Sequence, residues 1–365
     1  MKRVSLLLAV SFLMTFSCKN ADGPVQQLRG RLADLASSGT VAYGHQDDLA
    51  YGHSWKVENW ETDNLDRSDV KAVTGKYPMV MGFDLGGIEL ADSCNLDGVP
   101  FGLIHKASMT HDLRGGMVTY SWHPRNPLTG GDAWDESSAQ VVSSILEGGA
   151  LHDEFMLWLD RTASFFESLG GIPVIFRPWH ENVGSWFWWG GKLCTADEYK
   201  SLFRLTRDYF ESRGIKNVMW CYSPNGNCTP EEYRERYPGD DYVDIVGIDS
   251  YEYVGEGSLE EAALRYRNEL TQALDFLSAF GKEHGKLICL SETGLEGLPD
   301  PEWWTETLYP AIKDYPICYV LTWRNAHDKT GHFYAPWKGF DGAQDFKAFS
   351  ELEHIQFLDT LYRTK

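Results

Sequence analysis

The chain has 365 residues, 43% of them hydrophobic, and its 33 Lys and Arg against 53 Asp and Glu give a formal charge of −20. That length is enough for one large barrel or two ordinary domains. A surface this acidic repels phosphate backbones and anionic membranes, so nucleic acid is excluded as a natural partner while a neutral ligand is indifferent to the charge.

The chain opens with a basic stretch, MKR, followed by an apolar run, VSLLLAVSFLMTF, and then Ser17 and Cys18. The run is too short for a comfortable membrane span and ends in a small residue before cysteine, which resembles a bacterial lipoprotein signal. The expectation is a signal over 1–17, lipid on the sulfur of Cys18, a polar tether over 18–26 and one folded domain over 27–365. The alternative is a plain secretory signal with an incidental cysteine. Either way the protein is exported; as a lipoprotein it is periplasmic or attached to the outer membrane, touching the bilayer through the lipid alone. Of the other six cysteines, Cys289 and Cys318 sit in apolar runs and read as buried thiols, beside Cys94, Cys194, Cys221 and Cys228. Cys221 and Cys228 are near enough in sequence to close a short loop. No CxxC pair supports a zinc or thioredoxin-like site.

Further along, no linker or low-complexity tract divides the chain. Instead, short apolar runs recur at 40–46, 78–84, 116–122, 171–178, 217–224, 243–250, 286–292 and 317–323. Near-continuous apolar runs of this length suit strands buried on both faces of a parallel sheet. Good helices separate them. "TADEYKSLFRLTRDYFESRG" has Thr195 and Glu198 in capping-box spacing and a stop at Gly214; "SLEEAALRYRNELTQALDFLSAFG" repeats this with Ser258, Glu261 and Gly281. Eight such units predict an α/β fold of the (β/α)8 TIM-barrel type in a single domain. A doubly wound open sheet is the second choice, disfavoured because no glycine fingerprint follows the first strand.

In such a barrel, chemistry sits where strands end. "RPWHE" ends strand 4, and the spacing of Arg177 and Glu181 points both into the mouth if strand periodicity continues. "LICLSE" ends strand 7 in Glu292, with Leu290 and Ile288 expected on its side, filling the barrel below. Two glutamates converging on one cavity, walled by "WFWW", are equipment for cleaving a glycosidic bond. One donates a proton to the leaving oxygen, and the other attacks the anomeric carbon. The rings beside Glu181 favour its neutral form, while Arg177 and Tyr251 can aim Glu292 as a carboxylate. A strand-end glutamate alone reads equally well as an ion-pair residue, packing is the lesser alternative for Trp134 and Trp186, and His45 reads as a structural hydrogen-bonder. "HENVG" has Gly184 where a zinc-protease helix needs its second histidine, strand 1 supplies one histidine rather than an H-x-H pair, and no G-x-S-x-G or phosphate loop occurs. No metal and no cofactor are expected.

The blocks "GHQDDLAYG", "GFDLGG", "YSWHPRNPLTGGDAW", "RPWHENVGSWFWWG", "GIDSYE", "LSETG" and "TWRNAH" resemble glycoside hydrolase family 26, the β-mannanases of the large retaining (β/α)8 clan. The resemblance runs along essentially the whole mature chain. It implies Glu181 as acid/base and Glu292 as nucleophile, Tyr251 bonding the nucleophile, Arg177 supporting it, and His180 touching the sugar or orienting a carboxylate. It implies Trp323 flooring the sugar at the cleavage point, Trp186 walling the leaving-group side, and His123 and Trp134 serving the non-reducing end. The implied reaction is hydrolysis of β-1,4-mannosidic bonds with retention, by a monomer acting on mannan, galactomannan or glucomannan. Lichenan or β-1,3-xylan, an exo mode releasing mannobiose, and a non-catalytic glycan-capture lipoprotein are the alternatives. Segments 90–102 and 137–154 are long enough to close one end of a cleft.

Overall fold

A computed structural model describes residues 23–255 and 257–359. The expected signal over 1–17, Cys18 and most of the expected tether lie outside them. Eight parallel strands form the frame: β1 (Val41–Gln46), β2 (Val80–Asp84), β3 (Met117–Trp122), β4 (Val174–Pro178), β5 (Val218–Tyr222), β6 (Ile245–Glu252), β7 (Leu287–Leu295) and β8 (Ile317–Thr322). They pair in chain order, and β8 returns to β1 with Gly44 opposite Leu321, closing the barrel. Closure leaves these strands no free edge. A short strand, Ile355–Gln356, also pairs with β1.

Alternation along each strand sorts side chains into two cores. Ala42, Val80, Met117, Ile175, Met219, Ile245, Cys289, Cys318 and Leu321 pack with Leu28 and Leu32 of the first helix, forming the barrel interior and its floor. The opposite faces pack against the surrounding helices, where aromatic side chains dominate. The first helix, Pro24–Ser37, starts inside the expected tether because Pro24, with φ fixed and no N–H to satisfy, suits the first helical position.

Ile288 and Leu290 belong to the outer core, not the interior as expected, and Cys289 points inward instead. The register between β6 and β7 explains the error. Ile248 pairs with Leu290 but Asp249 pairs with Glu292, so Ser291 is an extra residue in a bulge. The bulge resets the alternation and turns Glu292 to the mouth. Gly247 permits it: a Cβ there would lie 2.6 Å from Ser291 Oγ and 2.9 Å from Cys289 Sγ.

The helix Ala196–Ser212 carries the expected Thr195–Glu198 capping box. The helix Leu259–His284 carries its own box but runs past Gly281 to Gly285, whose φ is 65°. Gly281 serves packing rather than termination, since a Cβ would come 2.4 Å from Ile288 Cγ2. The expected Cys221–Cys228 loop is not closed. Among the described residues all six cysteines are free, with Cys221 inside the barrel, its sulfur 3.9 Å from that of Cys289. His45 is a buried structural residue, its Nδ1 3.2 Å from the Thr322 carbonyl.

Candidate active site

The barrel mouth holds a cavity of about 330 Å³ lined by both glutamates and by His123, Trp134, His180, Trp186, Tyr251 and Trp323. Every side chain that the sequence assigned to the reaction or its substrate thus meets at one place. A larger cavity, of about 410 Å³, lies outside the barrel beside the helix Leu259–His284; its one carboxylate, Glu269, cannot support two-carboxylate chemistry.

Glu181 arrives by a tight turn rather than by strand alternation. Pairing ends at Pro178, and both Trp179 and Glu181 have left-handed backbones, with φ of 57° and 50°. Such conformations are costly for side chains of this size and survive where their surroundings fix them. Trp179 is driven outward into the aromatic core and donates to Thr206 Oγ1 at 3.1 Å. The Glu181 N–H donates to the Ser223 carbonyl at 2.8 Å, tying the turn to the end of β5. Of the four following rings, Trp188 and Trp189 are core. Trp189 donates to the His180 carbonyl at 2.8 Å and stacks on Phe187, with ring centres 4.5 Å apart. Trp186 and Phe187 line the cavity. This run therefore serves two purposes: two rings brace the turn and two face the ligand space.

Glu292 is held from three sides. Arg177 Nη2 bonds its Oε1, Tyr251 donates to its Oε2 at 2.7 Å, and His180 Nε2 lies 4.0 Å from Oε1. Arg177 also donates to Asp249 Oδ2 at 2.9 Å and to Ser223 Oγ at 3.2 Å, while Ser291 donates to Asp249 Oδ1 at 2.7 Å. The bulged Ser291 thus secures the support of its neighbour Glu292. Carboxylate oxygens of Glu181, Asp249 and Glu292 all lie within 4.8 Å of one another. Geometrically such a trio resembles a cation site, but the Arg177 guanidinium already pairs with two of its members.

The two glutamates differ in environment. Burial, then the nearby Glu292 charge, pushes the Glu181 carboxyl up to about 7, against the Trp186 indole, which donates to its Oε2 at 2.7 Å. Glu181 is therefore protonated in mildly acidic solution while Glu292 carries a permanent guanidinium partner. A close pair in which one member keeps its proton can protonate a leaving group on one side of a sugar and attack from the other.

Residues 30–276 match the model of glycosyl hydrolase family 26. The chain belongs to that family. Over 94% of its length it superposes on 98% of a GH26 β-mannanase from Bacteroides ovatus, with 44% identity and a TM-score of 0.87. It similarly covers 94% of the catalytic domain of a GH26 endo-β-1,4-mannanase from Bacillus sp. JAMB-750, with 31% identity and a TM-score of 0.82. A curated mannan endo-1,4-β-mannosidase from Bifidobacterium adolescentis is 33% identical over 83% of this chain. The family-26 chain spans 32% of that relative's length, and 52% of the length of a Bacillus subtilis mannan endo-1,4-β-mannosidase to which it is 31% identical.

Sequence reading missed several participants in this family-26 site. Asp84 and Asp249 end apolar runs, the same signal that marked Glu292, and were legible on that ground. Tyr253, 74% exposed, and His332 and Tyr334, on the loop after β8, also line the cavity but occupy no strand position that would single them out. Trp134 is 48% exposed at the cavity rim and stacks on His123, so packing alone does not account for it. Segment 137–154 contributes nothing to the cavity wall; its short helix Val141–Ile145 packs among outer helices.

Proposed function

We propose that this chain is a retaining glycoside hydrolase acting on β-1,4-mannosidic linkages, with Glu292 as nucleophile and Glu181 as acid/base. The observation that carries this reading is the pair of carboxylates, with oxygens within 4.8 Å of each other, opening on one aromatic-walled cavity. Retaining enzymes place their carboxyl groups about 5–5.5 Å apart, whereas inverting enzymes need roughly 6.5–9.5 Å to admit a water.

Glu181 protonates the glycosidic oxygen as Glu292 attacks the anomeric carbon, giving a mannosyl ester. Glu292 gives up its negative charge as that bond forms, and Arg177 and Tyr251 loosen their hold on it and keep it aimed. Ionised Glu181 then takes a proton from water, which attacks the ester and restores both groups. Trp323 and Trp186 offer flat faces to the sugars on either side of the broken bond, and His123 and Trp134 serve the non-reducing side. No residue here needs a metal or cofactor for these steps.

Digestion of linear mannan, glucomannan, lichenan and β-1,3-xylan, with products sized early, tests the reading. Cleavage of the first two and of neither other polymer is expected, with loss of activity in Glu292→Ala by at least about three orders of magnitude. Unchanged activity in that variant would overturn the mechanism, and no wild-type cleavage of any β-glycan would favour glycan capture. Early mannobiose alone marks the exo mode; mixed long products mark the endo mode. We further propose a monomer anchored by lipid on Cys18. No helix among the described residues is long and apolar enough to cross a membrane. Cys18→Ala should move the protein from the membrane fraction to the soluble one.

A further inference from the structure

Beneath the cavity wall runs a hydrogen-bonded chain that the two glutamates do not explain. Asp84, fully buried at the end of β2, accepts from the Gly86 N–H, from Ser121 Oγ and from His123 Nδ1, each at 2.7 Å. His123 Nε2 lies 3.1 Å from His180 Nε2. Two ring nitrogens at that distance share a single proton, so one must donate and the other accept. If His123 is neutral, its proton faces Asp84 and His180 donates. If His123 carries both protons, it donates in both directions and His180 accepts.

The charges around each ring decide between these arrangements. His123 faces Asp84 from β2, Asp97 from the 90–102 segment, Glu181 from the turn after β4 and Glu292 from β7. His180 faces His123 and the Arg177 guanidinium, with Glu292 Oε1 4.0 Å from its Nε2. We propose that Asp84 is a positioning residue that keeps a second proton on His123, whose imidazolium donates to His180 Nε2 and stands as a fixed positive charge beside Glu181 and Glu292. The proton count balances: Asp84 stays ionised, His123 holds two ring protons, and His180 holds one, on Nδ1.

Electrostatics agree with this placement. Burial opposes a charge on His123, but Asp84, by charge and by contact, with the Glu292 and Glu181 charges behind it, raises the protonation of His123 above its ordinary range. Burial likewise would push Asp84 up, and His123 reverses that. For His180, burial and then the His123 and Arg177 charges lower protonation. Its Nε2 lone pair, occupied by His123, neither binds a proton nor competes with Arg177 and Tyr251 for Glu292. The His123 charge also eases departure of the Glu181 proton, against burial and Glu292. Only this last consequence rests on Glu181 being the acid.

The test is a pH titration of the mature protein by NMR with 15N-labelled histidine, with His123 assigned through His123→Gln. In the wild type both His123 nitrogens should remain protonated at pH 7, with His180 neutral. In Asp84→Asn, His123 should lose one proton below pH 7. The alkaline limb of kcat/KM should move up by about one pH unit as Glu181 loses a nearby positive charge. Ser121→Ala, which keeps the carboxylate and removes one donor, should leave His123 doubly protonated. A singly protonated wild-type His123 at pH 7 overturns the proposal whether or not Asp84→Asn folds, and so does a His123 titration unchanged in that variant. The NMR readout needs no substrate, so a failed activity assay leaves it standing as a separate result.

Discussion

Replacing Glu181 with Gln should stabilise the protein while removing its acid. Bringing the carboxyl from its ordinary 4.5 to about 7 in the fold disfavours the ionised native state. At about 1.4 kcal/mol per pH unit, the native state loses about 3 kcal/mol by having to ionise that group. The sign follows from linkage. Below pH 4.5 the carboxyl is protonated in both folded and unfolded chains and costs nothing. Between 4.5 and about 7 the unfolded chain ionises while the fold holds its proton, so wild-type stability falls relative to the variant. Above 7 the gap is constant. For a chain of this length about 3 kcal/mol is roughly 4 °C in Tm. Gln preserves an oxygen to accept from Trp186 and carries no charge. Scanning calorimetry of both proteins from pH 4 to 8.5 should show melting curves that diverge by about 4 °C over that window, with Glu181→Gln the more stable. Parallel Tm profiles would refute the claim that the fold favours the neutral form of Glu181.

The rate on mannan should fall as pH rises through about 7, because protonated Glu181 is the competent acid. Trp186→Phe removes the indole donor to Glu181 Oε2 and should shift that limb upward by about one pH unit, an unmoved limb counting against the contact. Glu181→Ala should retain most of its kcat/KM on aryl mannosides with good leaving groups and regain kcat with azide, while staying poor on mannan; equal loss on both would argue against an acid role. Gly281→Ala should lower stability by about 1–3 kcal/mol in denaturant titration, despite the helix propensity of alanine, since its Cβ meets Ile288 at 2.4 Å.

The fold was legible because eight apolar runs and two capping boxes each carry their own local physics. Strand bounds differ from the expected ones by a few residues, as at β4, where the run begins at 171 but pairing begins at Val174. The two catalytic candidates were found as polar residues closing apolar runs. How they reach the mouth was not legible. A single extra residue at Ser291 inverts the alternation that put Leu290 beneath Glu292, and bulges leave no composition signal. At Glu181 the left-handed turn depends on a β5 carbonyl and on Trp179 finding room outside the barrel, both long-range facts. The thiol of Cys221 was assigned to a nearby partner when barrel closure gives it a distant one, Cys289. The place of Asp84 at the end of an apolar run is legible in "GFDLGG"; that it bonds His123 is not, because that partner comes from the end of another strand.

The central claim is that Glu292 forms a bond to the sugar. Incubation with 2-deoxy-2-fluoro-mannosyl fluoride, whose ester intermediate turns over slowly, followed by peptide mass spectrometry, tests it most directly. The fluoromannosyl mass should appear on the peptide containing Glu292 and vanish in Glu292→Ala. A label on another residue, or an enzyme that cleaves mannan yet never acquires one, would contradict the account.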